Sequence, residues 1–143
     1  AYARRGLASE MGMSWLLPRL VGTGHSMDLL LSARLVRAAE AERIGLVNRV
    51  VPADDLLAEA TAYARQLADK CSPQSMRAIK QQCFEDLTNQ FLDGFERSEK
   101  LLSKMVKLQD FKEGMISWTE GRSPDFPGLP EELGFISLND LNN

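Results

Sequence analysis

The chain has 143 residues, room for one domain of ordinary size and too few for two. At 44% hydrophobic and 26% charged residues it has a globular balance, which excludes disordered and collagen-like classes. Lys and Arg number 17 against 20 Asp and Glu, a net charge of -3, which argues against a general nucleic-acid binder but allows a local basic pocket.

The first fifty residues are punctuated by Gly6, Gly12, Gly22, Gly24 and Gly45. A glycine-containing turn over residues 6–12 leads into a predicted helix at 13–17. Gly22-Thr23-Gly24-His25-Ser26 reads as a turn entering a further helix. Its Gly-x-Gly does not make a nucleotide fingerprint, because no strand precedes it and the third glycine is missing. Residues 38–44 predict a short helix closed by Gly45. Val47-Asn48-Arg49-Val50-Val51 is β-branched and bounded by Gly45 and Pro52, so it predicts one short strand. A lone strand cannot make a sheet, since its backbone donors and acceptors need neighbours. The chain therefore reads as the C-terminal piece of a larger domain, and its first residue, Ala1 rather than Met, fits that expectation.

Helices dominate after Pro52. Asp54 and Asp55 are N-cap candidates for a stripe through Leu56, Leu57, Ala60, Tyr63, Ala64, Leu67 and Ala68. Ser72-Pro73 restarts the chain with an N-cap serine and a proline in the first helical position. Met76, Ile79, Cys83, Phe84 and Leu87 form the apolar face of that helix, and Phe91, Leu92, Phe95, Leu101, Leu102, Met105 and Val106 that of the next. Asp110 and Glu113 predict a capping box for a fourth helix carrying Phe111, Met115, Ile116 and Trp118. From Ser123 the prolines predict an extended tail.

Few residues carry obvious chemistry. Cys71 and Cys83 are too few for a disulfide framework and lie outside metal-binding spacings; Cys83 reads as a buried thiol on its stripe. A reducing, cytoplasmic compartment is the simplest reading, and no apolar run approaches a membrane span. His25, the only histidine, reads as an exposed residue at a helix start rather than a catalyst. Glu10 is the sharper candidate. Set among Leu7, Ala8 and Met11, its carboxylate loses favourable hydration, which suits a general base at neutral pH. The competing reading is an ordinary acid favoured near a helix start by the macrodipole. Met13 and Trp15 fit either an acyl pocket or a core.

The run from Gly6 to Gly22, with Leu16-Leu17-Pro18-Arg19-Leu20-Val21-Gly22 at its end, resembles the enoyl-CoA hydratase/isomerase family of the crotonase superfamily. At family spacing follow the leucine-rich run Met27-Asp28-Leu29-Leu30-Leu31 and the signature from Ala38-Ala39-Glu40-Ala41-Glu42 through Ile44-Gly45-Leu46-Val47 to Pro52. Asp110-Phe111-Lys112-Glu113-Gly114 resembles the opening of the family's last helix. The resemblance implies an α/β crotonase-like spiral fold, of which this chain is the mostly α-helical C-terminal half. Residues 1–52 would end the spiral core, 53–122 form a helical oligomerisation region, and 123–143 a tail.

The resemblance also implies chemistry on an acyl-CoA thioester through an enolate, whose charge paired backbone amides stabilise. Those amides would lie in the N-terminal half, so the isolated piece is expected to lack activity. Hydratases of this family use two glutamates; one of the two positions is Tyr2 here. Glu10 falls where the isomerase branches place a single carboxylate. The expected reaction is therefore a double-bond shift with Glu10 as proton shuttle, and Met13 and Trp15 as acyl-pocket walls. Arg122 would contact a phosphate of CoA, or simply favour a helix end. No cofactor beyond the CoA of the substrate, no metal, no nucleic acid and no membrane partner is expected, and the assembly would be a homotrimer or hexamer. The alternatives are an enoyl-CoA hydratase and a non-catalytic helical assembly module.

Overall fold

The computed structural model describes residues 2–129. It divides after Leu56 into two compact units. Six α-helices and two short 3-10 turns make up the described regular structure, and no helix is long and apolar enough to cross a membrane.

In the first unit a single 3-10 turn, Ala3–Arg5, precedes α1, Met13–Ser32. The helix expected at 13–17 is thus far longer, and it absorbs both the glycine-flanked histidine and the leucine-rich run. It is broken at Gly22, whose φ of 77° and ψ of 161° are open to glycine and closed to other residues. His25 lies exposed beyond that break, inside the helix rather than in a turn. Arg4 donates from Nε to the Ser32 carbonyl at 3.0 Å, tying the N-terminal turn to the far end of α1.

α2, Ala38–Arg43, follows. Leu17, Val21 and Ile44 form the buried core of this unit, with Met13, Leu29, Leu30 and Leu46 packed against it. Gly45, with φ 77°, reverses the chain so that the Leu46 N–H donates back to the Ala41 carbonyl at 2.8 Å. The strand expected at 47–51 does not form, and no strand occurs among the described residues. The Val50 N–H donates instead to Glu42 Oε1 at 2.9 Å, and Val47 donates to the Ala41 carbonyl. With no neighbouring strand to pair with, the backbone finds partners in α2.

The second unit contains α3, Leu56–Lys70 (its first residue at the division), α4, Pro73–Glu85, α5, Phe91–Met105, and α6, Gln109–Glu120. Ser72 caps α4 as expected, its Oγ accepting the Ser75 N–H at 3.0 Å with Pro73 in the first turn. The capping box expected for α6 does not form. Leu108 occupies the cap and Asp110 lies inside the helix, its carboxylate taken by Ser72. At the join of α4 and α5, Arg97 pairs with Asp86 and lies 3.9 Å from Glu85. Gly94 makes this possible: a Cβ there would stand 3.0 Å from Asp86 Oδ1.

The stripes of this unit face outward more than inward. Among the described residues only Ala78 and Leu101 are buried apolar side chains here, while Phe91, Leu92, Phe95, Ile116 and Trp118 are exposed. Cys83, expected as buried filler, is exposed as well. Helical spacing selects a common face, and what covers that face is a separate matter. After α6, residues 123–129 carry no regular secondary structure, and the Asp125 N–H donates to Glu113 Oε1 at 2.7 Å. The rest of the tail assigned to 123–143 lies outside the described residues.

Candidate active site

Glu10 sits in the connection between the first 3-10 turn and α1. That connection starts from Tyr2, whose carbonyl accepts the N–H groups of Arg5 at 2.9 Å and Leu7 at 3.1 Å. It ends in a tight turn, where the Glu10 carbonyl accepts the Met13 N–H at 3.1 Å. Met11 and Gly12, the two residues between, have φ of 54° and 70°. The Gly12 carbonyl then accepts from Trp15 and Leu16, starting α1. Backbone bonds on both sides therefore determine where the Glu10 side chain is rooted.

The carboxylate itself is exposed. Leu7 and Met11 do not enclose it, so the desolvation expected from its apolar neighbours is not supplied by the described residues. What the geometry supplies is an accessible carboxylate on a fixed turn, able to accept or return a proton.

The other expected site residues have different surroundings. Met13 is half-buried against Leu17, Val21 and Ile44, so it is at least in part core. Trp15 is exposed and carries the Arg19 guanidinium 3.9 Å from its ring centroid, while Arg19 also donates to the Trp15 carbonyl at 2.7 Å. This stack is a cation–π contact between neighbours on successive turns of α1. Arg122 lies in the second unit, beyond Gly121 at the end of α6. It donates to Glu113 through Nη1 at 2.5 Å and Nη2 at 3.0 Å, and to Glu120 through Nε at 2.6 Å. Each of its three guanidinium nitrogens thus donates to a carboxylate, and Nη1 also donates to the Ser123 carbonyl at 3.1 Å. The same contacts, with the Asp125 N–H, hold the Glu113 carboxyl down at about 2.

A second charged cluster escaped the sequence reading. Arg34 donates to Asp28 Oδ2 through Nε at 2.9 Å and Nη2 at 2.6 Å, and to both Glu40 oxygens at 2.8 and 2.7 Å. The Arg34 hydrogen bonds lower the Glu40 pKa. Charge spacing alone does not select these partners, because they meet only after the chain turns at Ala33, whose φ is 49°. Among the described residues, no three His, Cys, Asp or Glu side chains gather as a metal site. A groove of about 730 Å3 along α4, lined by Pro73, Met76, Lys80, Phe84 and Leu129 among others, includes none of the expected site residues.

The sequence pattern described as enoyl-CoA hydratase/isomerase matches residues 1–129. The chain belongs to the enoyl-CoA hydratase/isomerase family. A Mycobacterium bovis protein named "Probable enoyl-CoA hydratase echA8" is 39% identical over 121 residues, covering 85% of this chain and 47% of that protein. Among solved structures, a "probable enoyl-CoA hydratase/isomerase" from Mycobacterium abscessus superposes with a TM-score of 0.86 at 29% identity. That match covers 90% of this chain and 52% of the other. DspI of Pseudomonas aeruginosa gives 0.82 at 28% identity, over 88% of this chain and 48% of its own.

The fold class follows: this is the helical part of a crotonase-like fold, and the chain spans about half the length of the relatives it matches. The family's Ala38–Pro52 block now has a structural account. Glu40 receives Arg34, Ala41 and Ile44 are buried, Glu42 receives the Val50 N–H, and Gly45 reverses the chain. Its residues hold α2 against α1, and the candidate chemistry rests on Glu10.

Proposed function

We propose that this chain supplies Glu10 as the proton-shuttling carboxylate of an enoyl-CoA isomerase. The observation that supports the reading is an exposed carboxylate rooted in a tight, hydrogen-bonded turn at the start of α1. The Glu10 carboxylate takes a proton from the carbon beside the thioester carbonyl of a 3-enoyl-CoA. The electron pair delocalises into the dienolate, and the same proton returns two carbons further along, leaving the 2-enoyl-CoA. No atom is gained or lost, so one carboxylate suffices. Paired backbone donors that stabilise the enolate belong, by the family resemblance, N-terminal to this chain. Met13 and Trp15 are the acyl-pocket walls of this reading. Arg122 is a weaker candidate for a CoA phosphate, because Glu113 and Glu120 already pair with its charge.

Hydration is the second reading, favoured by the name of the Mycobacterium bovis relative. It needs a further group to orient and activate water, and Tyr2 stands at one of the family's two glutamate positions. The exposed apolar faces of α5 and α6 favour a homotrimer or hexamer, and a cytoplasmic location accords with two unpaired cysteines.

The test compares wild type and Glu10→Gln of the full-length protein on a 3-enoyl-CoA and a 2-enoyl-CoA. Loss of a positioned acid–base group lowers kcat by roughly 10²–10⁴, and isomerisation is expected to fall by that factor with the circular dichroism spectrum unchanged. Dominant hydration that survives the substitution would make Glu10 structural.

A further inference from the structure

We propose that residues 130–143 of this chain pack into the apolar groove along α4, so that the segment following Leu129 covers the groove of its own chain.

The groove, of about 730 Å3, has apolar walls from Pro73, Met76, Phe84 and Leu129 and cationic side chains from Arg77 and Lys80. Its one acid, Glu85, accepts from Gln81 Nε2 at 2.8 Å and lies 3.9 Å from the Arg97 guanidinium, so α4 and α5 already balance that charge. Lys80 then gives the rim a positive sign. Apolar walls alone do not select an occupant, but the path of the chain does. Leu129 reaches the groove on a segment fixed at three points of the same unit. Ser123 Oγ accepts from Lys70 Nζ at 2.6 Å, and the Asp125 N–H donates to Glu113 Oε1 at 2.7 Å. The Phe126 ring lies over Gly114, 3.8 Å from where a Cβ would stand. The residue after Leu129 therefore starts at the groove wall.

The sequence from that point matches the groove in both charge and polarity. Glu131, Glu132 and Asp140 are its only charged residues, opposite in sign to Lys80. Leu133, Phe135, Ile136 and Leu138 follow the acidic pair and supply apolar surface that burial against Met76 and Phe84 would remove from water. Length suffices as well. α4 has 13 residues and rises about 20 Å, a distance that about six extended residues cover. Attachment at the wall also replaces an encounter with a tether, whose effective concentration is of millimolar order. A contact too weak to form between separate molecules is then occupied within one chain. The enoyl-CoA hydratase/isomerase pattern ends at residue 129, and the segment lies beyond it. The other claimants on these walls are the residues that precede Ala1 in the whole protein and a second copy of the chain.

Hydrogen exchange read by mass spectrometry separates them. It is followed in the full-length protein, in the same protein lacking residues 130–143, and in that shortened protein with a synthetic peptide of residues 130–143 added. Amides of residues 73–85 are expected to exchange about tenfold faster after the deletion, the ratio for a tether at about 1 mM and a contact of about 0.1 mM. Those of α3 are unchanged, and the peptide restores protection. In the whole chain Lys80→Glu is expected to lose part of the same protection, and adding Glu131→Lys and Glu132→Lys to it brings that part back. Unchanged exchange at 73–85 on deletion overturns the proposal and leaves the groove to the residues preceding Ala1. Wild-type protection that falls on dilution assigns it to a second copy and overturns the proposal too. If the deletion speeds exchange throughout the unit, the charge reversal decides: recovery in the triple variant supports the contact, and its absence overturns it.

Discussion

Ser72, which caps α4, donates its hydroxyl proton to Asp110 Oδ2 on the first turn of α6, 38 residues further along the chain. The same Oγ accepts the Ser75 N–H at 3.0 Å. Both side chains are buried, at 7% and 6% exposure. One hydroxyl thus serves two helix beginnings, and the carboxylate it holds lies where the α6 dipole favours negative charge.

Replacing that hydroxyl has two costs. Ser72→Ala removes an N-cap, worth about 1 kcal/mol, and leaves a buried carboxylate short of a donor, roughly 1–3 kcal/mol more. Urea unfolding is expected to show a loss of about 2–4 kcal/mol. Asp110→Asn, which keeps an acceptor, is expected to cost less. A Ser72→Ala variant as stable as wild type would show that the bridge contributes nothing.

Acid sensitivity follows from Glu113. Hydrogen bonds from Arg122 and from the Asp125 N–H, partly offset by desolvation, lower its carboxyl from 4.5 to about 2. A depressed folded value stabilises above the unfolded one, and the contribution disappears as pH falls from about 4.5 through about 2. The melting temperature of Glu113→Gln is expected to depend less on pH across that window than that of wild type. Identical slopes in both proteins would contradict the assignment.

Gly45→Ala tests the reversal after α2. A Cβ there meets only the Leu20 carbonyl oxygen, at an ordinary 3.8 Å, so the penalty is conformational rather than steric. Holding alanine at φ 77° costs about 1–2 kcal/mol. Thermal unfolding should register that loss with activity per folded molecule unchanged.

Met11→Gly is expected to act in the opposite direction. Relief of the left-handed strain, less the entropy glycine adds to the unfolded chain, leaves a gain of about 0.5–1 kcal/mol. Urea unfolding gives the sign. A Met11→Gly variant less stable than wild type would contradict the strain assigned to this turn.

The helices after Pro52 were legible because their signals are local. Apolar spacing and the Ser72-Pro73 start predict α4 from Pro73, where it begins. The family blocks were equally legible, and they established the fold class through residues whose structural roles appear only once folded.

Other expectations failed for one shared reason. The β-branched run 47–51 has strand composition, yet a strand needs a neighbour, and the Val50 N–H goes to Glu42 instead. Asp110 has capping-box spacing, yet its carboxylate is bound by Ser72. Cys83 lies on an apolar stripe, yet it is exposed. The sequence by itself determined where the helices after Pro52 run, that Gly45 ends α2 and which carboxylate follows the first glycine, because backbone sterics and one-turn spacings act within a few residues. Only the tertiary structure decided which polar group partners which, that Arg122 is engaged by Glu113 and Glu120, and that Glu10 and Met11 stand exposed on a turn with left-handed backbone. Those outcomes depend on surfaces and dihedral angles set by packing across many residues, and pairwise spacing along the chain does not encode them.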